Sequence, residues 1–70
     1  MYEGVIFLLR LDRGYGFIRL PNQPDVFFHA NSLTHRLKFD DHLRGRRVRF
    51  DVVVADDARR EATHIQPAET

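Results

Sequence analysis

Arg13-Gly14-Tyr15-Gly16-Phe17-Ile18-Arg19-Leu20 is the stretch on which the reading of this chain turns, and Asp25-Val26-Phe27-Phe28-His29 follows it after Pro21-Asn22-Gln23-Pro24. Both runs are short, rich in aromatic and β-branched residues and bounded by turn formers, which predicts two strands near 14–20 and 25–29 joined as a hairpin. Alternate residues of a strand share a face. In the first run Gly16, Ile18 and Leu20 lie on one side, and Arg13, Tyr15, Phe17 and Arg19 on the other. The second run divides into Val26 and Phe28 against Phe27 and His29. If the aliphatic sides and Phe28 enter the core, Tyr15, Phe17, Phe27 and His29 form one patch across neighbouring strands. An exposed aromatic patch of this kind marks a binding surface. The segment 31–45 is too short and too polar to cover it.

Outward from this hairpin the pattern stays β. Further strands are predicted near 2–11, 46–54 and 61–66, the first forming a hairpin with the second, so the chain is all-β with five strands. In the fourth strand Val48, Phe50, Val52 and Val54 alternate with Arg47, Arg49 and Asp51, which sends the valines and Phe50 inside. The expected core is Ile6, Leu9, Ile18, Val26, Phe28, Val48, Phe50, Val52 and Ile65, with Phe7 outside. No repeat or linker interrupts the chain, so residues 1–70 read as one domain. A chain of 70 residues buries only about 60% of the surface its unfolded form exposes, and without cysteine it has neither disulfides nor thiolate metal ligands to reinforce it. The longest apolar run, 5–9, is far below the roughly 20 residues that span a bilayer, and no signal peptide is evident, which predicts a soluble cytoplasmic protein.

The formal charge of +1 arises from 11 basic and 10 acidic side chains, so bulk charge does not identify a polyanion partner. Distribution is more informative. Planar rings interleaved with Arg and His suit unpaired bases, which stack on aromatic faces at about 1–3 kcal/mol each while guanidinium groups meet phosphates. A duplex fits poorly, because its base faces are already stacked and the chain offers no basic recognition helix.

Other chemistries find little support. Gly14-Tyr15-Gly16-Phe17 lacks the third glycine and following helix of a dinucleotide loop; the two glycines are expected instead to permit tight strand entry and close approach of a base. His29, His35, His42 and His64 match no metal-ligand spacing, and Ser32, Thr34, Thr63 and Thr70 stand in no nucleophile-base context. The acids Asp40, Asp41, Asp56 and Asp57 fall in predicted turns, placed to lie away from a ligand. The expectation is a non-enzyme without cofactor, metal or small-molecule substrate.

Arg13-Gly14-Tyr15-Gly16-Phe17-Ile18 resembles the first ribonucleoprotein motif of the cold-shock domain family, Lys-Gly-Phe-Gly-Phe-Ile, and Val26-Phe27-Phe28-His29 after Asp25 resembles the second. Gly4, the spacing between the motifs, and Gly45 before a basic, valine-rich strand fit as well, so the resemblance runs from Gly4 to about Pro67. It implies a five-stranded antiparallel Greek-key barrel, the OB-fold, with its nucleic-acid platform on the second and third strands. By the same match Tyr15, Phe17, Phe27 and His29 occupy stacking positions, Arg13 a phosphate-contacting position, and Asp25 one where a carboxylate bonds a base edge. Family members typically bind single-stranded RNA or DNA as RNA chaperones or antiterminators, and bear on transcription and translation under cold or growth stress.

Departures from the pattern qualify this. Where the family usually has Lys-Trp-Phe, this chain has Phe7-Leu8-Leu9, and a ring expected after the motif His is replaced by Ala30. Leu8 keeps apolar contact but loses stacking, a change of about 1–3 kcal/mol, or roughly 5- to 150-fold in affinity, and Phe7 is a candidate replacement ring. These losses sustain an alternative, a barrel redirected to a protein or peptide partner through Phe7, Leu8, Tyr15, Phe17 and Phe27. The run Arg44-Gly45-Arg46-Arg47-Val48-Arg49 reads either as a solvated strand face or, with Arg59 and Arg60, as an electropositive track beside the platform; the family often has a basic contact residue near Arg59. In the long segment, Leu37, Phe39 and Leu43 are placed to anchor the loop, and Phe39 reads equally as a further stacking ring. Monomer is the default state, with a domain-swapped dimer as the alternative that a long connection permits.

Overall fold

Alternation and turn chemistry place the strands well. In the computed structural model, which describes residues 1–68, β1 is Tyr2–Arg10, β2 Tyr15–Arg19, β3 Val26–His29, β4 Arg47–Val54 and β5 Arg60–Pro67. Thr70, considered above as a nucleophile, lies outside the described residues. The strands close in the order β1-β2-β3-β5-β4 into an all-β barrel. Four seams are antiparallel, and the short closing seam is parallel, with Phe27 opposite Glu61. Closure pairs the strand edges that an open sheet of this size would expose to aggregation.

Inside the barrel Ile6, Leu9, Ile18, Leu20, Val26, Phe28, Val48, Phe50, Ala62 and Ile65 are buried together with Leu43. Each large side chain among them contributes about 1.5–3 kcal/mol relative to exposure, which is how so short a chain holds together. The segment between β3 and β4 is not a free loop. It contains two 3-10 turns, Ala30–Ser32 and Asp41–Leu43, and Leu33, Leu37 and Phe39 pack against the core beside the buried Leu43. Thr34 donates its amide to the Ile65 carbonyl at 2.9 Å, which ties the segment to β5.

One core expectation fails. Val54 is 69% exposed and Val52 is only partly buried, although alternation sends both inward. The reason is topological. β1 begins opposite Phe50, with Tyr2 as its partner, so the last turn of β4 pairs with β5 alone and runs past the barrel wall into solvent. The pattern of side chains is unchanged there: Val52 still packs against the core from the barrel end, whereas Val54 lies beyond it.

Candidate functional site

The hairpin register builds the ring cluster. Tyr15 faces His29 and Phe17 faces Phe27 across the β2–β3 seam, so all four side chains share the outer face while Gly16, Ile18, Val26 and Phe28 point inward. The Tyr15 and Phe27 ring centroids are 5.5 Å apart, and Phe17 meets both edge-on, at 6.2 Å from Tyr15 and 5.7 Å from Phe27. These separations lie within the range of favourable aromatic pairs. All three rings are half-buried, so each braces its neighbours and still offers surface to solvent.

A β-bulge brings β1 into the same surface. Ile6 faces Ile18 and Leu8 faces Phe17, two steps on β1 against one on β2. The extra residue sets both Phe7 and Leu8 on the outer side, half-buried, while Ile6 and Leu9 stay in the core. Phe7 is not bare: the Arg19 guanidinium carbon sits 4.1 Å from its ring centroid, and Arg19 Nε lies 3.9 Å from an Asp25 carboxylate oxygen. The opposite flank repeats this arrangement. Arg59 lies 4.5 Å over Phe27 and pairs with Glu61 at 3.2 Å and Asp57 at 4.0 Å. Both flanks of the cluster therefore end in a guanidinium stacked on a ring and held by carboxylate.

The remaining positions are set by the turns. Arg13 and Gly14 both donate amides to the Arg10 carbonyl, and Gly14, at φ 79°, takes the left-handed conformation that closes the β1–β2 turn. Arg13 is exposed beside Asp12, and with Arg10 and Tyr15 these residues line an open cavity of about 370 Å³ at the edge of the rings. Ala30 donates to the Gly14 carbonyl at 2.9 Å, which fastens the end of β3 to this turn. His29 then caps the first 3-10 turn, its Nδ1 accepting from the Asn31 amide at 3.2 Å. His29 remains exposed opposite Tyr15.

The geometry bears on three expectations. Gly16 does not make room for a ligand: it faces the core, where an added Cβ would lie 2.5 Å from the Leu8 carbonyl oxygen and 2.8 Å from the Phe28 ring. Phe39 packs edge-on against the buried Phe28, with centroids 6.2 Å apart, which fits the anchoring reading, and its remaining exposed surface leaves the stacking reading to experiment. The acidic turns are not all remote, since Asp57 lies at the platform edge through Arg59. Asp40 and Asp41 are occupied locally, Asp40 accepting from the His42 amide and Asp41 pairing with Arg44.

Of the arginine run, Arg47 and Arg49 both reach Glu3 on β1, and β1 separates them from the β2 strand that carries Tyr15 and Phe17. Sequence reasoning put Arg19 on the outer face but missed its seat on Phe7. The signal for that is the bulge, and no glycine or other local feature in Ile6-Phe7-Leu8 announces one. Among the described residues no cluster of three or more His, Cys, Asp or Glu side chains is placed to hold a metal, and no helix is long and apolar enough to cross a membrane.

What the arrangement can do follows from its parts. Half-exposed rings on three strands, at spacings a flat molecule can bridge, flanked by guanidinium groups, form a surface for planar ligands carrying negative charge. The family model described as the 'Cold-shock' DNA-binding domain matches residues 2–68 of the chain. No curated protein matches it.

Proposed function

Since the chain belongs to the cold-shock DNA-binding domain family, whose members bind nucleic acid, we propose that it binds single-stranded RNA or DNA across the ring cluster, without catalysis. Tyr15, Phe17 and Phe27 are the stacking residues in this reading, Phe7, Leu8 and His29 extend the surface, and Arg13 and Arg59 meet phosphates. Asp25 offers a carboxylate to a base edge beside Arg19. The observation that carries the proposal is the ring triad itself, three mutually braced aromatics with solvent on their outer side. Unpaired bases supply π faces to such a surface at about 1–3 kcal/mol each, whereas a duplex keeps its faces stacked inside the helix. Weak sequence preference is expected, consistent with a role as an RNA chaperone or as a regulator of transcription or translation, acting as a monomer in the cytoplasm.

Titrating a short oligothymidylate or a U-rich RNA at low salt while following tyrosine fluorescence tests the reading, because Tyr15 lies within the cluster. Saturable binding, with chemical-shift changes at Tyr15, Phe17, Phe27 and His29, is the expected result. Absence of saturable binding overturns it and leaves the peptide-binding alternative for the same face.

A further inference from the structure

We propose that the binding surface continues past the rings into a further nucleotide subsite, where a base stacks on the outer face of Arg19 and its phosphate meets Arg47. The proposal rests on the single-strand reading above. With its carbon 4.1 Å from the Phe7 centroid, the Arg19 guanidinium lies over the Phe7 ring and continues the surface that this ring begins. Asp25, 3.9 Å from Nε, restrains it laterally, yet the side chain remains 64% exposed. The Arg19 guanidinium thus lies over the ring on a side chain that is still largely open to solvent, and a guanidinium plane is itself a stacking surface for a base.

The neighbouring surface suits the rest of a nucleotide. Arg19 faces Val5 across the β1–β2 seam, and Val5 faces Arg47 across the β1–β4 seam, so the three form a row over adjacent strands. Beside that row lies a shallow cavity of about 280 Å³ lined by Glu3, Gly4, Val5, Arg19, Pro21 and Arg47. Val5 and Pro21 supply apolar contact, and Arg47 supplies a cation with bidentate geometry for phosphate. Arg47 is paired with Glu3, which is also 3.8 Å from Arg49. Glu3 can therefore yield Arg47 to a phosphate and retain Arg49 as its partner. A charge contact alone would be served equally by lysine at position 19, whereas stacking requires the planar group.

Oligothymidylates from about 4 to about 10 nucleotides, titrated against the wild-type protein and the Arg19→Lys and Arg47→Gln variants, separate these possibilities. Arg19→Lys is expected to leave the shortest strands unaffected and to weaken the longer ones by about fivefold or more, at unchanged salt dependence. Arg47→Gln is expected to lower the log-log salt slope by about 0.7 for the long strands only. Wild-type affinity for all lengths in Arg19→Lys overturns the subsite. So does an equal loss at every length, which would make Arg19 a support for the rings. Failure of the wild-type protein to bind any strand would instead remove the single-strand reading from which the subsite is built. Both substitutions are at exposed side chains, and thermal melts confirm that each variant is folded before titration.

Discussion

Replacing Phe27 by leucine isolates the π face of the most connected ring on the platform. Phe27 has Tyr15 at 5.5 Å, Phe17 at 5.7 Å and the Arg59 guanidinium at 4.5 Å. Leucine retains most of the apolar bulk and removes all three π contacts. Two aromatic pairs at about 0.5–1.5 kcal/mol and one exposed cation–π contact at about 0.5–1 kcal/mol give a folding cost of about 1–3 kcal/mol once leucine packing offsets part of it. A chain of this length has on the order of 4–10 kcal/mol in total, so the variant remains folded but melts about 4–20 °C lower. Binding loses one stacked base, about 1–3 kcal/mol, or roughly 5- to 150-fold in Kd. The assay is a fluorescence titration with oligothymidylate well below the variant's melting temperature, with the fold checked by circular dichroism. If Phe27→Leu binds within about twofold of wild type while melting lower, the ring stabilises the barrel only and the stacking argument is wrong.

Further tests address the scaffold and the charge. Gly16→Ala drives a methyl group into the Leu8 carbonyl and the Phe28 ring, and a urea titration is expected to show a loss of about 3 kcal/mol or an unfolded chain. Phe39→Ala uncovers part of Phe28 and should lower stability by about 1–3 kcal/mol with affinity for short strands unchanged; a matching loss of affinity would place Phe39 on the platform. The log-log salt slope for the wild-type protein is expected at about −1.4 to −2.8, the value for two to four phosphate contacts on a single strand, and a slope near zero would show that the arginines around the rings touch no phosphate.

Much of the ring cluster was legible because a hairpin obeys a period of two. Once Ile18, Leu20, Val26 and Phe28 are assigned to the core, Tyr15, Phe17, Phe27 and His29 have only the outer face left, and the register confirms it. Phe7 and Leu8 were harder. Strict alternation puts adjacent residues on opposite faces, and only the bulge between Ile6 and Leu8 allows both to face outward. The same limit explains Val54, whose pattern is correct and whose surroundings are absent. Phe39 could not be assigned from sequence, because a loop has no periodicity to say which side of a barrel end its rings will find.

By itself the sequence determined the strand positions, the inward and outward sets of β2 and β3, and the aromatic motifs that carry the family likeness, since these depend on local spacing. Tertiary structure decided which cation meets which ring and which acid restrains it. Arg19 on Phe7 joins β2 to β1, Arg59 on Phe27 joins the turn before β5 to β3, and their carboxylate partners come from turns or from β5. A guanidinium at the end of a flexible side chain reaches several candidates of similar energy. Only closure of the barrel, with its bulges and one parallel seam, brings a particular ring and a particular acid within reach of it at once.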